Sequence, residues 1–254
     1  MTALVLSAGG MYGAYQAGAW KSLAGRVRPD LIVGASVGSL NGWAIAGGAS
    51  AGELIDSWLD PACAALATLR LSQPPWRGCF DSQPLHVRIQ RLWAAYRPQI
   101  PVAVVATEIA ALRRRVFTGK SITWRHLAAS CAVMLGYEQI RIDGRLYTDG
   151  GLLGALPLAA AAELGADRIV AINAMPVMPS LAVNAFVKAL QAVAPHTAEP
   201  VRGQDPGAAP APHIRVIAPR APLGPLREAV FWNRRAVERW IEQGEADAQQ
   251  AALE

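Results

Sequence analysis

The first feature of this chain that could do chemistry is a serine with a glycine two residues away on each side. It is Ser36, in the segment Gly34-Ala35-Ser36-Val37-Gly38. Flanking glycines permit a sharp strand-to-helix turn that presents a serine hydroxyl at the strand end, and the following helix N-terminus favours a developing alkoxide. The pattern also occurs by chance in tight turns. Here an apolar segment precedes it and a helical segment follows, so we predict a nucleophile for acyl transfer.

A second glycine-rich turn follows the apolar N-terminal segment TALVLSA. It contains Gly9, Gly10, Met11 and Gly13. Adjacent glycines let backbone amides point into the crevice at a sheet edge, where they could hold the oxyanion of a tetrahedral intermediate. A phosphate loop or a plain tight turn is the alternative. A dinucleotide site is disfavoured, because the spacing does not match G-x-G-x-x-G.

A base for Ser36 must come from a distant part of the sequence. The segment TDGG places Asp149 before Gly150 and Gly151, just after a hairpin predicted around Asp143-Gly144. By itself this segment is also typical of an ordinary Asx-Gly turn. The histidines are His86, His126, His196 and His213, and none has neighbours that indicate a carboxylate partner.

The elements that must position these residues alternate between strands and helices. Apolar runs at TALVLSA, DLIVGAS, IPVAVVATEI, DRIVAINAM and HIRVIAP predict strands, and RRRVFTG predicts a neighbour of the third. Helices are predicted from about 13 to 23, over WRHLAASCAVML, and as one long amphipathic C-terminal helix from PLREAVFW onward. The order predicts an α/β fold, a single three-layer α/β/α domain over residues 1–254 with a mainly parallel central sheet. Residues 193–212, rich in Pro, Ala and Gly, are predicted to form a mobile loop.

Composition narrows the class of protein. The chain of 254 residues has 52% hydrophobic and 17% charged residues, which disfavours disorder and allows a sizeable core. Its net charge of +5 would suit an anionic membrane surface or acidic substrates, although a solvated basic surface is the simpler interpretation. No arginine stripe with interleaved aromatics indicates a nucleic-acid face.

We expect no metal site, and any membrane contact is expected to be peripheral, because no apolar run reaches the length of a span. Three cysteines without a C-x-x-C pair predict reduced thiols in the cytoplasm.

Taken together, the glycine-rich loop, G-x-S-x-G and D-G-G in this order resemble the patatin-like phospholipases. The resemblance extends over nearly the whole chain, through VVATEIA with RVFTG, LAASCAVML, DGGLLGALPL and RVIAP. It implies the patatin-like fold and a lipid acyl hydrolase of the esterase or phospholipase A type, without a cofactor. It also implies that Ser36 is the nucleophile and Asp149 its base in a Ser-Asp dyad. The amides of Gly9, Gly10 and Met11 would then form the oxyanion hole, with Gly13, Gly34, Gly38, Gly150 and Gly151 supporting the turns.

The sequence departs from the family pattern at three positions. Tyr12 stands where the family has Arg or Lys, a Pro is missing near Met134, and Ala155 stands in place of an Asn. Two alternative functions remain, the first motivated by these departures and the second by the shared serine turn and the chain order of the residues. One is a catalytically degenerate module that binds lipid or protein. The other is an α/β-hydrolase with a Ser36, Asp149 and His196 or His213 triad.

Overall fold

The computed structural model describes residues 1–70, 77–177, 180–194 and 211–251. The strands are β1 (Thr2–Leu6), β2 (Leu31–Ala35), β3 (Val102–Glu108), β4 (Arg113–Thr118), β5 (Ile140–Ile142), β6 (Arg145–Thr148), β7 (Arg168–Ile172) and β8 (His213–Ile217). The helices are α1 (Gly13–Leu23), α2 (Val37–Ala46), α3 (Ala51–Leu59), α4 (Ser82–Ala95), α5 (Trp124–Ser130), α6 (Leu158–Glu163), α7 (Leu181–Val193), α8 (Leu226–Val230) and α9 (Arg234–Gln250).

The strands form one mainly parallel sheet in the order β5-β6-β3-β2-β1-β7-β8, with β4 also paired to β3. Strands β1, β2, β3, β7 and β8 are parallel, whereas β4, β5 and β6 make the antiparallel pairs. The predicted α/β class and the mainly parallel sheet are confirmed. Because β1 and β2 are parallel neighbours, the turns after both strands lie at the same edge of the sheet.

Two strands, β2 and β6, pair with the same edge of β3 and run towards each other along it. β4 pairs along the whole of the other edge. On the shared edge, Ala35 at the end of β2 is level with Val105, and Thr148 at the end of β6 is level with Thr107. β2 and β6 therefore end on either side of Ala106. The residues that follow these two strands are brought to the same place.

Apolar side chains cover both faces of the sheet, as a buried parallel sheet requires. Along β1, Leu4 and Leu6 face the larger core with α1 and α2, while Ala3 and Val5 face a smaller core with α6. This alternation follows the two-residue period of a strand. The central layer lies between helical layers, and the helical cover is much thicker on one face among the described residues.

The predicted single C-terminal helix is wrong, because the chain breaks between α8 and α9. The Asn233 side chain accepts a hydrogen bond from Ala236 N at 3.0 Å and begins a new helix. The apolar face of α9 packs on α1, and Trp240 is fully buried there. This face is therefore occupied within the protein and is not left for a membrane.

The helix predicted over WRHLAASCAVML is shorter than expected, because α5 ends at Ser130. The next turn is diverted towards β6, since Ala132 O accepts hydrogen bonds from Asp149 N (3.0 Å) and from the Thr148 hydroxyl (2.8 Å). By contrast, the hairpin predicted at Asp143-Gly144 is confirmed. Both residues have positive φ, of 48° and 77°, as its tight turn requires.

Two predictions fall largely outside the described residues. They are the mobile loop at 193–212, of which only the ends are described, and any role of His196. Within the described parts of the chain, no helix combines the length and the apolar character needed to cross a bilayer.

Candidate active site

Ser36 occupies a strained turn between β2 and α2. Its φ of 53° and ψ of −129° lie in a region that residues other than glycine rarely adopt, at a cost of about 1–3 kcal/mol. Gly38 permits this turn, because a Cβ there would meet the Leu6 and Ser7 carbonyl oxygens. Gly34 lies against Gly38 in the same way. Contrary to the expectation of an exposed hydroxyl, Ser36 is only 5% exposed.

The amide of Ser36 is held by Ser130, a residue that sequence reasoning missed. Ser130 is fully buried at the end of α5, and its hydroxyl accepts the Ser36 N–H at 2.8 Å. The same hydroxyl donates to Val105 O at 2.6 Å, and Ser130 O accepts the Gly150 N–H at 3.1 Å. Ser130 therefore connects the Ser36 turn to the loop that follows Asp149.

Asp149 follows β6 and is 7% exposed. Its Oδ1 accepts the Gly151 amide at 2.7 Å, and the Thr107 hydroxyl donates to its backbone carbonyl at 3.0 Å. Burial raises the pKa of Asp149 to about 6, while the Ser36 hydroxyl and the Gly151 amide act in the opposite direction. Since burial disfavours its charged form, this carboxylate is a stronger base than an exposed one.

Ser36 and Asp149 are adjacent without a well-aligned hydrogen bond between their side chains. The Ser36 hydroxyl is close enough to lower the pKa of Asp149, yet Asp149 Oδ2 is buried with no hydrogen-bond partner among the described residues. Catalytic pairs often reach full alignment only when substrate is bound.

A buried thiol lies beside this pair. Burial raises the pKa of Cys131 well above its ordinary value, and the nearby charge of Asp149 raises it further. Hydrogen bonds with Ser39 and Ser36 act in the opposite direction. The thiol therefore stays protonated and is a poor nucleophile compared with a thiolate.

The glycine-rich turn forms the other wall of the site. Gly10 has a φ of +57° and lies against the Ala229 carbonyl, so a side chain is excluded there. The amide of Gly13 bonds back to the Gly10 carbonyl at the start of α1. No acceptor within the described residues is recorded for the amides of Gly9, Gly10 and Met11. These amides are therefore available to an anionic group, whereas the Ser36 amide is occupied.

Three buried polar side chains support this turn, and sequence reasoning missed them as well. Gln16 Nε2 donates to Ser7 O at 2.7 Å, and Asn41 Nδ2 donates to Gln16 Oε1 at 2.9 Å. The Ser7 hydroxyl accepts the Ala174 amide at 2.9 Å. The sequence does contain a signal for them, since Gln16 and Asn41 stand within otherwise apolar helices. A polar side chain buried there needs a hydrogen-bond partner, which indicates a supporting role.

Two residues that depart from the family pattern take part in hydrogen bonds near the glycine-rich turn. Tyr12 is buried and donates its hydroxyl to the Gly224 and Pro225 carbonyls, at 2.7 and 3.0 Å. It thus supports the turn from the side of the core. At Ala155 the backbone carbonyl accepts the Ala8 amide at 2.8 Å, so a main-chain bond joins the two loops there.

The described histidines do not complete a triad. His213, the first residue of β8, pairs with Arg168 of β7, which in turn pairs with Thr2 of β1. His213 therefore lies where the parallel strands begin, more than about 13 Å from the Ser36 turn, which lies where they end. His126 lies beside the Thr123 amide and hydroxyl at the start of α5, and the His86 ring packs near another aromatic ring of that helix. The triad alternative with His213 is therefore wrong. Among the described residues, no group of three His, Cys, Asp or Glu side chains could hold a metal ion.

The fold and this site define a class of protein. A family model for patatin-like phospholipases matches residues 4–162, which include every residue assigned to the site from sequence. The chain belongs to the patatin-like phospholipase family.

The chain is also similar to two mammalian proteins, at about 30% identity. Patatin-like phospholipase domain-containing protein 7 of Rattus norvegicus is 28% identical over 181 residues, and protein 6 of the same series from Homo sapiens is 30% identical over 181 residues. The matches cover 67% of this chain but only 13% of either relative. Among solved structures, VipD from Legionella pneumophila has a TM-score of 0.53 at 12% identity, covering 98% of this chain and 66% of that one. At this identity the likeness concerns the fold alone.

Proposed function

We propose that this protein is a serine acyl hydrolase that cleaves acyl esters of lipids through Ser36 and Asp149. The observation that carries the proposal is the meeting of two strand ends at Ala106. It places a strained serine beside a buried carboxyl group whose pKa is raised to about 6. A base of this strength is largely ionised at neutral pH and still accepts a proton better than an exposed aspartate.

In the proposed reaction, Ser36 Oγ attacks the ester carbonyl carbon while its proton passes to Asp149. The carbonyl oxygen becomes an oxyanion, which the amides of Gly9, Gly10 and Met11 stabilise. One such donor typically contributes about 3 kcal/mol to the transition state. The alcohol leaves with the proton from Asp149, and an acyl ester remains on Ser36. Asp149 then takes a proton from water, and the hydroxide attacks the acyl carbonyl carbon. Ser36 Oγ leaves with the proton from Asp149, which releases the fatty acid and returns both residues to their starting states.

Labelling by a fluorescent fluorophosphonate tests this proposal. The wild-type protein is expected to label, at a rate that rises with pH through about pH 6 as Asp149 ionises. Ser36→Ala should not label, and Asp149→Asn should label at least about 100-fold more slowly, as expected for the loss of a general base. A short-chain nitrophenyl ester and a panel of lipid esters then define the substrate.

Two controls separate the alternatives. His213→Ala should label like wild type, and His196→Ala should do so as well if the dyad acts alone. Circular dichroism must show that each variant is folded. Folded wild-type protein that does not label would contradict the proposal and favour a binding module without turnover.

A further inference from the structure

Four exposed apolar side chains form what we call the apolar rim, beside the candidate site. They are Leu69, Val133, Leu135 and Phe231, with exposed fractions of 56%, 47%, 58% and 47%. Large apolar side chains exposed singly are common, but a contiguous group usually marks an interaction surface.

Backbone and ring contacts through Phe80, Cys79 and Tyr137 link the segments that carry the rim. Leu69 is bridged to Phe80, whose ring lies 6.0 Å from that of Phe231. The same Phe80 ring lies 5.6 Å from Tyr137, and the Cys79 amide donates to Leu135 O at 2.9 Å. Val133 is linked as well, because its carbonyl accepts the Tyr137 amide at 2.9 Å. The segments that carry the four exposed side chains therefore meet around the half-buried Phe80 and Tyr137 rings.

The rim is close to both walls of the site. Val133 directly follows Ala132, whose carbonyl accepts the Asp149 amide at 3.0 Å. Phe231 directly follows α8, in which the Ala229 carbonyl lies against Gly10. A surface that contacts the rim is therefore next to the dyad on one side and next to the glycine-rich turn on the other.

Leu135 has an unfavourable backbone conformation, and its side chain is not buried in a way that would offset the cost. Its φ of 64° is left-handed, which a bulky residue rarely adopts, and it is the most exposed member of the rim. Asn or Gly would suit this backbone better and would expose less apolar surface. Backbone strain of this kind is a reason to look for a function of the side chain.

Positive charge accompanies the rim. Three exposed arginines lie on the segments that carry it: Arg70 follows Leu69, Arg77 is two residues before Cys79, and Arg227 is in α8, four residues before Phe231. Asp81 pairs with Arg70 at 3.5 Å and balances its charge, while Glu228 pairs with Arg239 at 3.3 Å. Within the described parts of the chain, Arg77 and Arg227 form no ion pair with a carboxylate. The whole chain carries +5. An apolar surface bordered by arginines is complementary to the interface of a bilayer with anionic lipids.

We propose that the apolar rim docks on the surface of a lipid bilayer that carries anionic head groups, with the dyad facing the membrane. The inference rests on the proposed function in that it gives a lipid ester a route to Ser36. Leu135 and Phe231 enter the interfacial region, and the arginines lie at the level of the head groups. Bound in this way, the protein acts on lipids that never leave the bilayer.

Vesicle co-sedimentation tests this docking without depending on activity. The Ser36→Ala protein is mixed with phosphatidylcholine vesicles, with and without phosphatidylglycerol. Binding is expected with phosphatidylglycerol and should weaken at high salt. Adding Leu135→Asn or Phe231→Ser should lower the partition coefficient by about tenfold or more, as expected for one large apolar side chain. Leu135→Asn should do this without lowering the melting temperature, because Asn tolerates the left-handed backbone.

The matched control is Leu164→Ser, which removes an exposed leucine (38%) just before β7, at the opposite edge of the sheet. It should bind vesicles like its parent. Equal binding by rim and control variants would overturn the proposal. Vesicle binding unaffected by the rim variants, together with a dimer that these variants convert to a monomer, would instead identify self-association.

Hydrolysis of a short-chain ester in solution keeps the two proposals distinguishable. With Ser36 restored, Leu135→Asn and Phe231→Ser should hydrolyse such an ester like wild type and lose activity only on vesicles. Activity lost equally on both substrates would contradict the docking role. Vesicle binding by the rim in a protein that does not turn over the soluble ester would support docking and contradict the proposed hydrolase.

Discussion

At the scale of single residues, Ser130 determines how the backbone amides of the site are used. Its hydroxyl occupies the Ser36 N–H and, through Val105, ties the strained turn to β3. In the proposed reaction the oxyanion is therefore held by other amides, and those of the glycine-rich turn are available. In the proposed reaction Ser130 is a positioning residue, because it contacts the reacting atoms only through Ser36.

Replacing Ser130 by Ala is expected to slow fluorophosphonate labelling by about 10- to 100-fold, because a small displacement of a nucleophile has effects of this size. Ser130→Thr keeps the hydroxyl and should recover part of the rate. Hydrogen exchange of the Ser36 amide, followed by NMR, should accelerate in Ser130→Ala and reports the lost bond independently of activity.

Ser82→Ala is the matched control for Ser130→Ala. Ser82 is also buried, and its hydroxyl also accepts a backbone amide, that of Glu138, at 2.9 Å. Both variants should lose about 1–2 kcal/mol of stability. Only Ser130→Ala should lose labelling rate, and equal rate losses would mean that Ser130 is merely structural.

Asp149 is expected to reduce stability at neutral pH. Its pKa is about 6 in the folded protein against an ordinary 3.8, so between about pH 4 and 6 the folded state binds more protons than the unfolded state. The free energy of unfolding therefore falls as pH rises through this window. Asp149→Asn removes the buried charge and should be more stable than wild type at pH 7, by up to about 3 kcal/mol. Urea denaturation at pH 4 and pH 7 measures this. A gain that does not shrink at pH 4 would contradict the assigned pKa.

At the scale of elements, the contact between α1 and α9 depends on residues without side chains. A Cβ on Gly244 would meet the Tyr15 carbonyl, and one on Gly18 would meet the Ile241 carbonyl. The two helices therefore approach more closely than ordinary side chains allow. This contact buries Trp240, whose ring packs on Tyr12 at 4.9 Å, and so supports the glycine-rich turn.

Gly244→Ala should consequently destabilise the protein, although alanine is the better helix former. The added methyl group forces the helices apart, at a cost of about 1–3 kcal/mol. Gly52→Ala is the matched control in α3, where the nearest atom to an added Cβ is Ser50 Oγ at 3.9 Å. There the same change should stabilise by about 0.5–1 kcal/mol. Urea midpoints compare the two, and a stabilised Gly244→Ala variant would contradict the close packing.

Elements were predictable where local chemistry decides them. The strands are apolar and rich in β-branched residues, and Asp143-Gly144 has the conformational freedom that its hairpin needs. The ends of α5 and α8 were not predictable in this way. α5 stops where tertiary hydrogen bonds from β6 divert the backbone, and the break after α8 leads into a helix placed by its packing on α1.

At the scale of the whole molecule, the sheet order is what assembles the site. Ser36 and Asp149 are far apart in the chain and come together because β2 and β6 run towards each other along one edge of β3. The glycine-rich turn joins them because β1 is the parallel neighbour of β2. The apolar rim is likewise built from separate segments, which no local pattern connects.

The sequence by itself determined the candidate residues for the proposed reaction, the turns that carry them and the family, because these depend on neighbouring residues and their spacing. Only the tertiary structure decided that Ser36 and Asp149 are buried, that Ser130 holds the Ser36 amide, and that His213 lies at the opposite end of the strands. Burial, a raised pKa and a shared surface arise from segments that meet in space. A linear pattern of residue types does not encode the distances between them.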